Sequence, residues 1–471
     1  MGKTYKFLAF DFGASSGSAM LAKFDGEKIT LEEKHRFSND PVEVNGGFYW
    51  DVLRLFYEIK QGILKCANSG DRDIDCIGID TWAVDFVLLD KNDEILGNTV
   101  AYRDDRTEGK MEQAFKVIPK DMLYLDTGIQ FQRFNTLYQL LAIKDKSPEI
   151  LEEAKTFLMI PDYLNFLLTG KKINEYTNAT STQFLNAFDK NWDKNILSKF
   201  GIKDDMFQEI KMPKTKLGNL RKELVEEFGF DMEVVLPATH DTGSAFISSV
   251  CNDDDSIYVS SGTWSLIGVE NRFPICVPQA MEYNFTNEGG IDYRYRFLKN
   301  IMGLWVIQEV RRNLNNKYSF AEFVKLAEEC RDFPSIVNVD DDRFLKPDNM
   351  IEEIQAYCRE SNQEIPTTPG ELAVCVYNSL GHSYKNAIGN LEEIFEKEFK
   401  RINIFGGGCQ NDMLNQIVAN VTGKEVLAGP VEATAIGNIV AQLLSARELD
   451  DLGHAREVIK NSFEIKKFNA K

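Results

Sequence analysis

The chain has 471 residues, with 54 basic and 73 acidic side chains and a formal net charge of −19. That charge repels phosphate backbones and anionic membrane surfaces, so we expect neither a nucleic acid nor a membrane as a partner. The apolar run from Ala433 to Ala446 is too short to cross roughly 30 Å of hydrocarbon, and it predicts a buried helix instead.

The N-terminus and the cysteines predict a cytoplasmic protein. Residues 1–6 lead straight into an apolar, strand-like run and contain no apolar signal core. The eight cysteines are scattered without a Cys-x-x-Cys pair, so we expect reduced thiols and no zinc site. The length predicts two or three domains, and the composition leaves the oligomeric state open.

The first part of the chain alternates strand-like and helical runs, which is typical of an α/β fold. Strands are predicted over 5–12, 18–24, 28–37, 75–81 and 84–89. A helix is predicted over 52–67, and the turn Asp25-Gly26 predicts a hairpin between the second and third strands.

The middle of the chain, from about 108 to 230, is predicted to be mainly helical. Residues 135–143 and 148–168 carry apolar residues at three- and four-residue spacing, which is the helical period. Val234 to Thr239 then predicts a strand.

The last part of the chain repeats the form of the first. Residues 255–269 predict two strands joined by a turn, and Arg401 to Phe405 predicts a strand that leads through three glycines into a helix over 410–421. This repetition is weak evidence for two similar halves. We place the boundary near 246–254 and expect domains at 1–248 and 249–471.

Two turns built of small residues follow predicted strands. The first carries Ala14, Ser15, Ser16, Gly17 and Ser18 behind Asp11, and the second carries Thr263. Backbone N–H groups in such turns can hold phosphate oxygens, and a carboxylate at the strand end can hold Mg²⁺ through its waters. Either turn alone is also compatible with a plain hairpin, but two in one chain favour a pair of phosphate-binding turns.

The run His240-Asp241-Thr242 stands at a predicted junction between a strand and a helix. One interpretation makes Asp241 only the N-cap of that helix. In the other, the helix start favours an ionised carboxylate, which accepts a proton from a hydroxyl group that attacks phosphorus. The two roles are compatible, and we expect Asp241 to be a catalytic base.

Trp82 lies among carboxylates and predicts either a sugar contact or a core position. Its ring could cover the apolar face of a sugar while the neighbouring acids bind the hydroxyls. Arg103, in Tyr102-Arg103-Asp104, equally suits a substrate contact or a surface ion pair.

Taken together, these runs resemble the FGGY family of carbohydrate kinases in the actin-like ATPase superfamily, over nearly the whole chain. The matching segments are 11–17, 78–82, 84–86, 102–104, 134–140, 161–163, 175–180, 240–242, 260–266, 299–305, 406–411 and 429–433. The resemblance implies an α/β fold of two actin-like (ribonuclease H-like) domains with an active-site cleft between them.

The resemblance also implies a reaction: transfer of the ATP γ-phosphate to the 1-hydroxyl of the ketose L-rhamnulose, in L-rhamnose catabolism, with Mg²⁺. By position, Asp241 becomes the base and Asp11 the Mg²⁺ anchor. The implied sugar site is Trp82, Ala83, Arg103, His240, Asp241, Thr242 and Asn300. The implied nucleotide site is Ala14, Ser15, Ser16, Gly17, Ser18, Thr263, Gln308 and Gly407.

Two positions depart from the family pattern. Ser18 stands where the family usually has arginine, which removes a cation near the phosphates. Ala83 stands where the family tends to have glycine, which adds a methyl group beside the sugar. Ala83 therefore keeps a related ketose such as L-fuculose or L-ribulose open as the substrate, and Ser18 keeps open a sugar-binding regulator without turnover.

Overall fold

The computed structural model describes residues 4–471. The strands are β1 (Tyr5–Phe12), β2 (Ser16–Phe24), β3 (Ile29–Ser38), β4 (Val42–Val44), β5 (Gly47–Tyr49), β6 (Cys76–Thr81), β7 (Phe86–Leu89), β8 (Thr156–Met159), β9 (Asn174–Glu175), β10 (Leu185–Asn186), β11 (Asn191–Trp192), β12 (Ile210–Lys211), β13 (Lys216–Asn219), β14 (Glu233–Val235), β15 (Ser256–Ser261), β16 (Trp264–Asn271), β17 (Thr286–Gly289), β18 (Tyr295–Met302), β19 (Arg401–Phe405), β20 (Glu425–Ala428) and β21 (Lys466–Phe468).

The helices lie between these strands in an α/β order. They are α1 (Val52–Asn68), α2 (Lys110–Phe115), α3 (Lys120–Thr127), α4 (Thr136–Lys146), α5 (Pro148–Glu153), α6 (Ile160–Thr169), α7 (Tyr176–Ala179), α8 (Lys194–Lys199), α9 (Lys222–Phe228), α10 (Asp241–Ile247), α11 (Pro278–Glu282), α12 (Trp305–Asn313), α13 (Phe320–Glu329), α14 (Met350–Glu360), α15 (Pro369–Phe395), α16 (Asp412–Thr422), α17 (Ala433–Ala446) and α18 (Leu452–Ser462). Within residues 4–471, none of these helices has the length and apolar character needed to cross a membrane.

The chain packs into two compact units. The first unit contains the chain up to Ser248 together with Glu270–Phe297 and Thr434–Ser462. The second contains Ser249–Val269, Leu298–Ala433 and Phe463–Lys471. Two segments from the second half of the chain therefore belong to the first unit, and they contain β17 and α18.

The first unit is built on a six-stranded sheet in the order β13-β14-β6-β1-β2-β3. β1 is antiparallel to β2 and parallel to β6, and β6 is parallel to β14. Leu8 and Phe10 on β1 are fully buried, as expected for a central strand covered on both faces. Because the carboxyl ends of parallel strands meet at one edge, the residues that follow β1, β6 and β14 lie close together.

Within the first unit, helix α17 packs closely against α10 and β6 at two glycines. A methyl group at Gly437 would overlap the carbonyl oxygen of Ser244 in α10, and one at Gly78 in β6 would overlap the side chain of Asn438. Close packing of this kind leaves no room for a larger residue. It brings polar side chains of α17 to the end of β6.

The second unit repeats the strand arrangement of the first. β15 is antiparallel to β16 and parallel to β19, as β1 is to β2 and β6. β19 is in turn parallel to β20, which pairs antiparallel with β21. The predicted similarity of the two halves is confirmed at this level.

Most sequence-based assignments agree with these bounds, and one is wrong. The predicted helical run 148–168 is interrupted by β8, which pairs antiparallel with β7. The apolar run of β8 is fully buried, so its side chains fit a helical period as well as a strand. Its pairing with β7, which is distant in the chain, decides the outcome.

Candidate active site

The His240-Asp241-Thr242 run lies where the chain leaves the sheet and enters α10. Thr81 N at the end of β6 donates to Thr239 O at 2.9 Å, which continues the pairing with β6 beyond the end of β14. The cap residue of α10 is His240, and Asp241 is the first residue within the helix. The interpretation of Asp241 as an N-cap is therefore wrong. Its Oδ1 instead accepts from N and Oγ1 of Thr242 at 2.5 and 3.1 Å.

A buried carboxylate, Glu175, fixes the segment before Asp241. Its Oε2 accepts from N and Oγ1 of Thr239 at 3.1 and 2.7 Å. It also accepts from Thr177 Oγ1 at 2.6 Å and Asn178 N at 3.2 Å. His240 N donates to Thr177 Oγ1 at 3.2 Å. Because hydrogen bonds to a charged group are among the strongest in proteins, Glu175 holds the loop in one conformation.

The electrostatic setting of Asp241 suits a base near neutral pH. Burial raises its pKa to about 6, against the opposing effects of the bonds from Thr242 and the charge of Arg296. Its side chain is still 29% exposed. A carboxylate with a pKa close to the working pH is both unprotonated in most molecules and basic enough to take a proton.

Arg296 and Glu288 surround the imidazole of His240. Arg296 Nη2 lies 3.1 Å from His240 Nδ1, and Arg296 Nη1 lies 3.1 Å from Glu288 Oε2. His240 Nε2 lies 3.5 Å from Asp241 Oδ1. Arg296 is 1% exposed, so this charge is held inside the first unit next to the predicted base.

Asp11 and Asp80 are adjacent across the parallel pair β1–β6. Asp80 is fully buried, and its Oδ2 accepts from Asn438 Nδ2 of α17 at 2.6 Å. Burial and then the charge of Asp11 raise the Asp80 pKa well above its ordinary value. Asp80 Oδ1 is buried without a hydrogen-bond donor among the described residues. An adjacent carboxylate pair with an unsatisfied oxygen fits a hard cation such as Mg²⁺.

A metal site can also be formed by three or more ligating side chains. Within residues 4–471, no group of three or more His, Cys, Asp or Glu side chains is arranged to hold a metal ion. Asp11 and Asp80 are a pair rather than a cluster of this kind.

The turn after β1 is braced from the end of β3. Gly13 N donates to Ser16 O at 2.9 Å, and Asn39 Nδ2 donates to Gly13 O at 2.8 Å. Gly17 contacts the ring of Phe37 so closely that a methyl group would overlap it. Ser18 is buried on β2, where it pairs with Asp11 of β1. Of the predicted turn residues, Ser15 and Ser16 are exposed.

Trp82 belongs to the core of the first unit. It is 5% exposed and packs against Trp50, with ring centroids 4.2 Å apart and ring planes tilted by 40°. Its Nε1 donates to Asp85 Oδ2 at 2.9 Å, and Trp50 Nε1 donates to the same oxygen at 2.6 Å. Of the two interpretations of Trp82, the core position describes its surroundings.

Ala83 precedes a strained residue. Val84 has a φ of 67°, which is a rare conformation for a β-branched side chain. It is held by Ser181 Oγ, which accepts from Val84 N at 3.2 Å, and by Thr136 Oγ1, which donates to Val84 O at 2.6 Å. Backbone strain of this kind is concentrated at functional sites. Ala83 itself is partly exposed.

The remaining predicted residues lie in different places. Arg103 is exposed, and its Nε donates to Tyr102 Oη at 3.1 Å. In the second unit, Thr263 Oγ1 donates to Gln308 Oε1 at 3.4 Å, so these two are brought together. Asn300 is partly buried on β18, and Gly407 is exposed in the turn after β19.

Comparison with known proteins identifies the family. A model of the N-terminal domain of the FGGY family of carbohydrate kinases matches residues 6–248, and one of its C-terminal domain matches residues 257–446. The chain belongs to the FGGY family of carbohydrate kinases. It is thus a sugar kinase, and the family implies the use of ATP.

Curated relatives cover this FGGY kinase from end to end. It is 58% identical over 461 residues to the rhamnulokinase of Halalkalibacterium halodurans, covering 98% of both chains. It is 44% identical over 466 residues to the rhamnulokinase of Bacillus subtilis, covering 99% of this chain and 95% of the relative.

Solved structures of low sequence identity share the fold of this FGGY kinase. The xylulose kinase of Lactobacillus acidophilus superposes with a TM-score of 0.82 at 19% identity, over 99% of this chain and 94% of that one. The Plasmodium falciparum glycerol kinase with ADP superposes with a TM-score of 0.79 at 16% identity, over 100% of this chain and 95% of that one. The predicted fold class, an α/β fold of two domains, is confirmed.

Several residues near Asp241 escaped the sequence-based prediction. Glu175 lies in a segment that carries the family resemblance, so its position was indicated while its role was not. Glu288 and Arg296 lie in β17 and β18, in runs that have no motif. Asn438 lies within an apolar helical run, where one polar side chain aimed at a strand end was the available signal.

Proposed function

We propose that this kinase transfers the γ-phosphate of ATP to the 1-hydroxyl of L-rhamnulose, giving L-rhamnulose 1-phosphate in L-rhamnose catabolism. Relatives that are 58% and 44% identical over nearly the whole chain are named rhamnulokinase, which supports this substrate. The observation that carries the chemistry is Asp241, a carboxylate at the start of α10 whose pKa is raised to about 6. Because the reaction consumes ATP and a sugar, the cytoplasm is its proposed location.

In the proposed reaction, Asp241 takes the proton of the 1-hydroxyl as that oxygen bonds to the γ-phosphorus and ADP leaves. Phosphoryl transfer needs little covalent help from the protein, so the chain has to position the two substrates and supply one base. His240 lies beside Asp241 and adds no positive charge there, because burial and then the charge of Arg296 lower the pKa of His240 well below its ordinary value.

The proposed binding residues divide between two substrates. The proposed sugar contacts are Ala83, Arg103, His240, Asp241, Thr242 and Asn300, whereas Trp82 packs in the core beside Ala83. The nucleotide contacts are Ala14, Ser15, Ser16, Gly17, Ser18, Thr263, Gln308 and Gly407. We assign sugar binding and the base to residues 1–248 and mainly nucleotide binding to residues 249–471.

Asp11 is the proposed anchor of Mg²⁺, and Asp80 is its neighbour. Magnesium, when bound, neutralises charge on the phosphate groups. The buried, unsatisfied Oδ1 of Asp80 supports a cation at this pair. The carboxylates themselves are fixed by the β1–β6 register and by Asn438.

Replacing Asp241 by Asn tests the base. We expect kcat to fall about 10²–10⁴-fold, the usual contribution of a general base, while L-rhamnulose binding measured by calorimetry is largely kept. The exposed Asp121 lies in the first turn of α3, and Asp121→Asn is a matched control that should leave kcat unchanged. Near-normal turnover in Asp241→Asn would refute the assigned role.

A panel of ketoses tests the substrate. Specificity constants for L-rhamnulose, L-fuculose and L-ribulose should rank L-rhamnulose first. Ala83→Gly, which removes the additional methyl group, should change the ranking little. A clear preference for another ketose overturns the substrate, and no turnover with any ketose favours the sugar-binding regulator.

A further inference from the structure

Two side chains of the first unit, Arg296 and Glu288, converge on one nitrogen of His240. Arg296 Nη2 lies 3.1 Å from His240 Nδ1, and Glu288 Oε2 lies 3.3 Å from the same atom. Arg296 Nε donates to Gly289 O at 2.9 Å, so the guanidinium plane is anchored to the backbone. His240 is 7% exposed, and Arg296 and Glu288 are 1% and 6% exposed.

The geometry decides which nitrogen of His240 carries the proton. A guanidinium has only N–H donors and no acceptor, so a nitrogen at hydrogen-bond distance from it must offer a lone pair. Glu288 Oε2 lies 3.3 Å from Nδ1 but forms no hydrogen bond with the ring, and its nearer neighbour is Arg296 Nη1 at 3.1 Å, so the contact with the ring is not an Nδ1–H donation. The proton of a neutral His240 therefore sits on Nε2.

Nε2 is the nitrogen that faces the base. It lies 3.5 Å from Asp241 Oδ1, whereas Nδ1 faces Arg296. A second proton on the ring is disfavoured, because burial and then the charge of Arg296 lower the pKa of His240 well below its ordinary value. The ring thus presents one N–H toward Asp241 and cannot take the proton that Asp241 is to accept.

We propose that Arg296, held in place by Glu288 and Gly289 O, is a positioning residue that fixes His240 as the neutral Nε2–H tautomer, so that its N–H points to Asp241 and the reacting sugar oxygen. This inference rests on the proposed roles of Asp241 and His240. It assigns a function to a buried Arg–Glu pair that is not among the proposed substrate contacts.

The tautomer can be measured without any substrate. The chain has four histidines, so protein labelled with ¹⁵N only at histidine gives few ring signals, and His240→Gln assigns those of His240. We expect a pyridine-type signal from Nδ1 and a pyrrole-type signal from Nε2 across neutral pH. A protonated Nδ1, or a charged ring, overturns the proposal. This outcome is independent of whether L-rhamnulose is the substrate.

Arg296→Lys distinguishes the positioning of His240 from a pure effect of charge. Lysine keeps the positive charge but lacks the planar guanidinium group with its several N–H donors. We expect mixed His240 tautomers and a roughly tenfold or greater loss of kcat, with a smaller change in KM, since one hydrogen bond to a charged group is lost. The control is Arg294→Lys, two residues earlier, where the arginine lies 3.8 Å from Glu270 and away from His240. It should leave kcat and tautomer unchanged.

The pH profile gives a further readout. The charged or titratable groups that influence Asp241 are His240, Asp80, Tyr102, Glu288 and Arg296. Arg296→Lys keeps the sum of these charges. In a plot of kcat against pH, the fall at acid pH should therefore stay at the same pH, while the maximum value of kcat decreases. Lost activity with an unchanged tautomer overturns the positioning role, as does wild-type kcat. If the variant does not fold, the tautomer of the wild-type protein decides.

Discussion

The two units fix the loops at their strand ends in different ways. In the first, the buried carboxylate of Glu175 accepts hydrogen bonds from Thr239 and Thr177. In the second, the turn after β19 is fixed by close packing, because a methyl group at Gly408 would overlap Ser261 Oγ. The same strand arrangement thus carries acidic groups in one unit and small uncharged groups in the other.

The difference matches the two halves of the proposed reaction. Proton transfer needs a carboxylate with a shifted pKa, which the first unit supplies in Asp241. Phosphate oxygens bind to hydroxyls and backbone N–H groups, and additional carboxylates there would repel them. Thr263 and Gly407 are such groups in the second unit.

The largest expected effect contrasts Asp11 with Thr263. Asp11→Asn should lower kcat by about a hundredfold or more and weaken Mn²⁺ binding measured by electron paramagnetic resonance, because a cation ligand is neutralised. Thr263→Val should raise KM for ATP about tenfold and leave Mn²⁺ binding unchanged, since one neutral hydrogen bond is lost. Equal effects on Mn²⁺ binding would remove the proposed division between the units.

The next effect concerns Glu175 and stability. Glu175→Gln should reduce the free energy of unfolding by about 2–4 kcal/mol, because an amide cannot accept all the bonds of the buried carboxylate. Glu371 is the control, since it accepts from N of Thr367 and Thr368 at 2.8 and 2.9 Å but is only partly buried at the start of α15.

Glu371→Gln should cost less than about 0.5 kcal/mol, because glutamine is also accepted at this capping position. Urea unfolding of both variants measures the difference. Similar losses in the two variants would show that burial is not what makes Glu175 important.

The sequence predicted the parts of this site that depend on interactions between residues close in the chain, and missed those that depend on residues far apart. β1, its small-residue turn and the His240-Asp241-Thr242 junction were predicted, because strand runs and turn residues act locally. The pairing of Arg296 with His240 was not, since it depends on where β18 lies relative to the loop after β14. β8 was missed for the same reason, because its pairing with β7 is non-local.

A smaller effect on stability is expected at two neighbouring glycines of the second unit, Gly407 and Gly408, which should differ in their response to substitution. Gly408→Ala should reduce the free energy of unfolding by about 1–3 kcal/mol, because Ser261 is 1% exposed and cannot move away. A methyl group at Gly407 meets nothing within 4 Å. Gly407→Ala should therefore leave stability unchanged within about 0.5 kcal/mol, as is usual for an open surface position.

Gly407→Ala also tests the nucleotide site. If phosphates approach the backbone at this turn, the methyl group should raise KM for ATP several-fold at unchanged stability. An unchanged KM removes Gly407 from the proposed contacts and leaves the packing comparison intact.

The smallest effect is a pH dependence that belongs to the first unit. The pKa of Asp241 is raised to about 6, so the base is unprotonated above that pH and becomes protonated as the pH falls through it. The value of kcat/KM for L-rhamnulose should be halved near pH 6 and should fall about tenfold for each further pH unit. KM for ATP should stay nearly constant over this range, because Thr263, Gln308 and Gly407 have no titratable groups. An acid limb near pH 4 would mean that Asp241 is not desolvated, and a parallel change in KM for ATP would place the titrating group among the nucleotide contacts instead.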